Sequence, residues 1–152
     1  MLNIRVEIKG DKRIIAQLKN VVESMKDWRP ELQAVGDYLK SFYQDPVFET
    51  EGGIFNARWS PLSQPYQAIK STKYPGRGIL EASGAMRRSY IIKSFPTLLQ
   101  LINTTEYAIL HQEGRGVPER VLINIDDERR KQIVDIFKKG AIIKLQNAVK
   151  SS

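Results

Sequence analysis

The sequence predicts an α+β domain, and three observations carry that expectation. A two-residue apolar alternation opens the chain, apolar residues at three-and-four spacing recur towards both ends, and two short apolar runs flank Ser94-Phe95-Pro96. At 152 residues the chain makes a single domain, since a domain uses about 100 to 200 residues. With 41% hydrophobic and 27% charged residues it can bury a core. The expected arrangement is a small, mostly antiparallel sheet packed with N- and C-terminal helices, from which long loops project.

Leu2, Ile4, Val6 and Ile8 alternate with Asn3, Arg5, Glu7 and Lys9, the pattern of a half-buried strand. Gly10 and Asp11 interrupt it. Ile14, Ile15, Leu18, Val21, Val22 and Met25 then follow a helical period, with Asp11 as N-cap. A second helix is expected from Pro30, whose fixed φ suits a first helical position, with Glu31 complementing the dipole. Its inner stripe is Leu32, Val35, Leu39 and Phe42, and Asp45-Pro46 ends it.

Residues 45–62 show no sustained period. A loop of that length is uncommon inside a small domain unless it works or orders on assembly. Its aromatic residues argue against a mere spacer. Ser63 is placed to cap a short helix running to Thr72, with Pro65 in the first turn, and Tyr74-Pro75-Gly76-Arg77-Gly78 makes a turn. Ser83 can cap a second short helix over residues 84–89. Tyr90-Ile91-Ile92-Lys93 and Thr97 to Ile102 read as a hairpin. Tyr107 to Leu110 suits either a strand or a short helix, because periodicity does not decide over so few residues.

Gly114-Arg115-Gly116-Val117-Pro118 reads as a flexible basic loop and Val121 to Ile125 as a strand. Asp126 and Asp127 open the final helix, whose stripe is Ile133, Ile136, Phe137, Ala141 and Leu145. Gly140 in its middle costs about 1 kcal/mol of propensity relative to alanine, and Lys144 and Lys150 complement its dipole.

The absence of cysteine excludes disulfides, thiolate metal sites and cysteine nucleophiles. His111 is the single histidine, so no multi-histidine metal site exists and only one imidazole base is available. It could be oriented by Glu113 with Ser83 or Ser89 as nucleophile, but no nucleophile-elbow or Walker-type spacing accompanies it. The sequence therefore predicts neither an enzyme nor a cofactor, and His111 as a packed histidine. No apolar run reaches about 18 residues, and Arg5 and Glu7 interrupt the start, so a soluble protein without an export signal is expected.

The net charge of +7 is regional. Residues 51–100 carry seven basic side chains against Glu51 and Glu81, whereas residues 1–50 balance eight against eight. A segment this poor in acid makes a positive field that suits nucleic acid or an acidic protein surface. Trp59, Tyr66, Tyr74 and Tyr90 lie among these basic residues, which keeps a DNA-binding accessory module as an alternative. Arg87 and Arg88 point about 100° apart on a helix, so they cannot both grip one patch without the loop's help.

Four elements occur in order: Phe55-Asn56-Ala57-Arg58-Trp59-Ser60-Pro61-Leu62-Ser63 followed by Lys70; Ile79-Leu80-Glu81-Ala82-Ser83-Gly84-Ala85-Met86-Arg87-Arg88-Ser89; Tyr107-Ala108-Ile109-Leu110-His111-Gln112-Glu113-Gly114; and Pro118-Glu119-Arg120-Val121-Leu122. Together they resemble the phage virion morphogenesis family, the Mu-like tail-completion proteins of tailed phages and prophages. Ser83 stands where threonine is commoner in the family, and Glu119 where a small residue is. The resemblance implies a structural viral protein acting in virion assembly at the head–tail junction or tail terminus. It implies a homo-oligomeric ring, sixfold by analogy, that contacts tail, neck or connector proteins, with DNA near its lumen and no membrane. Its place would be the virion, after assembly in the bacterial host cytoplasm. On this reading Phe55, Arg58, Trp59, Tyr74, Arg77, Arg87, Arg88 and Arg115 are the candidate interaction residues.

Overall fold

The computed structural model describes residues 12–151, so the expected strand over residues 2–8 and the Asp11 cap lie outside the described residues. The elements are α1 (Lys12–Ser24), α2 (Arg29–Gln44), α3 (Pro46–Glu49), a 3₁₀ turn (Gly53–Phe55), α4 (Gln64–Lys73), α5 (Ala85–Arg88), β1 (Tyr90–Ser94), β2 (Leu99–Asn103), α6 (Ala108–Glu113) and α7 (Asp127–Lys150). β1 and β2 form the expected antiparallel hairpin, with Tyr90 opposite Asn103 and Ser94 opposite Leu99. The fold is α+β, as its periodicities predict.

α2 is the hub. It packs against both strands, α3, α5 and α7. Its buried residues Val35, Leu39 and Tyr43 meet Val47 and Phe48 of α3, Trp59, Met86, Tyr90, Ala108 and Leu122 in one core. Burial of such side chains contributes roughly 1.5–3 kcal/mol each. The Tyr43 hydroxyl donates to the Asn124 carbonyl at 2.9 Å, which satisfies a polar tip inside an aromatic cluster.

Residues 45–62 correct the expectation of an irregular loop. They wind into α3 and the 3₁₀ turn and fold onto the core, with Val47 fully buried and Trp59 3% exposed. The Trp59 ring stands edge-on to Phe48 at 5.2 Å and donates its indole N–H to the Val121 carbonyl at 2.9 Å. Gly52 makes this possible: at φ 79°, a Cβ there would stand 2.5 Å from the Ala57 carbonyl and 2.6 Å from the Trp59 ring. The period was hidden because each helical piece is a single turn.

Val121 to Ile125, expected as a strand, pairs with no strand among the described residues. Side chains replace the ladder. Gln112 Oε1 accepts from the amides of Leu122 and Ile123 at 2.8 and 3.0 Å, and Gln112 Nε2 donates to the Ile123 carbonyl at 3.0 Å. The residues left open between strand and helix form α6, from Ala108 onward.

α7 starts as expected, with Asp126 accepting from the Arg129 amide at 2.8 Å. Its first half packs on α2 through Ile133, Ile136, Phe137 and Gly140. Leu145, expected in the inner stripe, is 42% exposed. Lys144, expected to complement the dipole, donates to the Asp27 carbonyl at 2.8 Å and pairs with Glu31 at 3.4 Å. The second half of α7 carries α1, in which no residue is buried. Ile14, Leu18 and Val22 of α1 and Ile142, Ile143 and Val149 of α7 stay half or more exposed.

Candidate functional site

The candidate interaction residues divide sharply. Arg58, Arg77, Arg88 and Arg115 are exposed. Arg88 donates to the Ser83 carbonyl at 2.9 Å, and Arg115 pairs with Glu113. Tyr74 is half-buried, with the Lys73 ammonium 5.5 Å from its ring centroid. Arg87 turns inward to Glu81 and Asp45, each at 2.9 Å, with Glu49 at 3.6 Å. The Glu81 and then the Asp45 hydrogen bonds push its pKa up. Phe55 packs on Phe42 and Tyr43, and Trp59 belongs to the core described above.

The chemistry of a site is easier to find in a cavity than on a surface. One cavity of about 530 Å³ gathers residues from all four elements that carry the family resemblance. Leu62 and Ser63 come from the first, Leu80, Ser83 and Met86 from the second, Tyr107 and His111 from the third, Pro118 and Arg120 from the fourth. α4 closes one side with Tyr66 and Lys70, four residues apart and therefore on one helix face. Leu80 holds φ at 63°, a left-handed conformation that costs a bulky residue about 1–3 kcal/mol.

Lys70 is the one buried residue of α4, at 4% exposure, and its ammonium donates to the Gly78 carbonyl. Burial pushes its pKa down, partly offset by Glu81 and Glu51. Arg120, also 4% exposed, clasps the Ser60 carbonyl through Nε at 3.2 Å and Nη2 at 3.0 Å. Its Nη1 lies 3.3 Å from His111 Nδ1. Burial and then the Arg120 charge lower the His111 pKa, while the Pro118 carbonyl works the other way. A neutral His111 therefore accepts from Arg120.

This arrangement does not assemble the base, orienter and nucleophile considered above. Glu113 pairs with Arg115, the Ser89 hydroxyl donates to the Ala85 carbonyl at 2.6 Å, and the Ser83 hydroxyl accepts from the Ala85 amide at 3.2 Å. No cluster of metal-binding side chains occurs among the described residues, and none of their helices is long and apolar enough to cross a membrane.

Sequence reasoning singled out neither Lys70 nor Arg120 as a functional residue. The available signal was that Lys70 and Arg120 both stand in the elements that carry the family resemblance.

No curated protein and no solved structure matches the chain significantly. A model of the phage virion morphogenesis family matches residues 10–140, which include every element lining the cavity. The chain belongs to the phage virion morphogenesis family.

Proposed function

We propose that this protein is a tail-completion or head–tail joining subunit, a structural component that acts by docking within the assembling virion. Family membership supports a role in virion assembly. The observation that carries the finer reading is the double apolar stripe on α1 and the distal half of α7, where Leu18 is 60% exposed and Ile142 and Ile143 are 55% exposed. Apolar patches of this kind mark surfaces that another protein covers. A homo-oligomeric ring buries the stripe between neighbouring subunits and leaves Arg58, Arg77, Arg88 and Arg115 to face tail or connector proteins.

DNA binding as the main role is less well supported. Of the seven basic residues in the central segment, Lys70 is buried and Arg87 is held by Glu81, Asp45 and Glu49, so the positive field is weaker than the sequence count suggests. Electron microscopy of particles produced without the gene tests the proposal. Unjoined heads and tails, or tails of aberrant length, are expected; normal infectious virions would overturn it.

A further inference from the structure

The cavity beneath α4 is lined by two buried cations that the chain compensates only in part. Its lining contains no aspartate or glutamate, yet it contains Lys70 and Arg120. Neither forms an ion pair within 4.0 Å among the described residues. Glu81 and Glu51 offset the Lys70 charge in part from outside the lining, but Glu81 is engaged by Arg87 and Glu51 accepts the Ile79 amide at 3.0 Å. Both cations use carbonyl oxygens, neutral acceptors that satisfy hydrogen bonds without cancelling charge. Buried charge is costly unless paired, so an anion entering the cavity gains more here than on the open surface.

The rest of the lining specifies what kind of anion fits. Leu62, Leu80, Ala82, Met86 and Val117 present apolar surface. Ser63, Ser83 and the Tyr66 and Tyr107 rings offer a few polar groups at its margins. A phosphodiester strand carries a charge at every step and suits an open basic track rather than an apolar pocket over two buried cations. A carboxylate attached to aliphatic or aromatic side chains matches both features. A cavity of about 530 Å³ is of the size that encloses a small ligand, and so takes the end of a polypeptide rather than a length of it.

We propose that this cavity captures the C-terminal residues of a partner protein, with the terminal carboxylate against Lys70 and Arg120 and an apolar last side chain among Leu62, Leu80 and Met86. The proposal deepens the assembly reading, because the partner is then another virion protein. Its test needs no particles. The probe is the peptide acetyl-Ala-Leu-Leu-Phe with a free carboxylate, titrated into the full chain and followed by backbone amide shifts. Two controls are its C-terminal amide and an amidated peptide with glutamate in place of the second leucine.

The free acid is expected to bind about tenfold more tightly than either control, with shifts at Ser63, Ser83 and Tyr107. Lys70→Gln keeps an amide donor for Gly78 and is expected to weaken the free acid about tenfold, with Lys70→Arg restoring much of the loss. Ala82→Trp fills the cavity while leaving both cations in place, and is expected to abolish binding with the circular dichroism spectrum unchanged. Equal binding of acid and amide, binding that survives Ala82→Trp, or no binding up to about 5 mM would overturn the proposal. A glutamate peptide that binds as well as the free acid would overturn the choice of a chain end. Normal virions without the gene would remove the assembly role and leave the titration result standing.

Discussion

Gly140 of α7 gives up its side chain to Glu31 of α2. A Cβ on Gly140 would stand 2.2 Å from Glu31 Cγ and 2.6 Å from its Oε1. Glu31 is 8% exposed and its carboxylate lies 3.4 Å from Lys144 Nζ, so it has little freedom to retreat. The glycine is a contact point between the two longest helices, and its low propensity is the cost of their approach.

Gly140→Ala tests this directly. Helix propensity alone favours alanine by about 1 kcal/mol, whereas overpacking costs about 1–3 kcal/mol. We expect a net loss of stability in urea unfolding, recovered in part by adding Glu31→Ala. A higher midpoint for the single variant would show that the helices separate freely.

His111 gives the fold a dependence on acid. Its folded pKa is lowered from the ordinary 6.5, so the unfolded chain takes up the proton more readily. The stability linked to this residue is complete above about 6.5 and is lost as pH falls through the lower, folded value. Thermal melts from pH 7.5 downward are expected to show this loss, and His111→Gln is expected to flatten it. Identical pH profiles for the two proteins would mean that the ring is not held beside Arg120.

Gln112 serves three backbone groups of residues 122 and 123 at once. Gln112→Ala leaves these without their partner, and a loss of about 2–4 kcal/mol is expected from denaturant unfolding. Gln112→Glu keeps the acceptor but removes the donor, and is expected to fall between the two. A loss below about 0.5 kcal/mol for the alanine variant would show that water substitutes easily.

Trp59 and Arg58 are adjacent in sequence but separate in role. Trp59→Ala empties a core site and is expected to cost about 3–5 kcal/mol, read by urea unfolding. Arg58→Ala, Arg77→Ala and Arg115→Ala are expected to change stability by less than about 0.5 kcal/mol each and to lower the yield of infectious particles in complementation. Full complementation by the triple variant would remove these arginines from the proposed docking surface.

What could be read from the sequence was what is periodic over a few turns. α1, α2, α7 and the hairpin repeat an apolar spacing long enough to announce themselves, and Asp126 announces a helix start. Residues 121–125 could be read only as extended. Their hydrogen-bond partners, Gln112, Trp59 and Tyr43, lie between 10 and 81 positions away, and no local pattern encodes a ladder made of side chains. The same holds for the cavity. The four motif elements stand in order along the chain, but their convergence on Lys70 and Arg120 depends on how α4 and α6 fold against them.

The weak seating of α1 bears on how the fold opens locally. With no residue fully enclosed, and with α7 as its chief support, this helix can detach through a small local opening while the hub around Tyr43 remains closed. Its amide protons should then exchange with solvent well before those of α2.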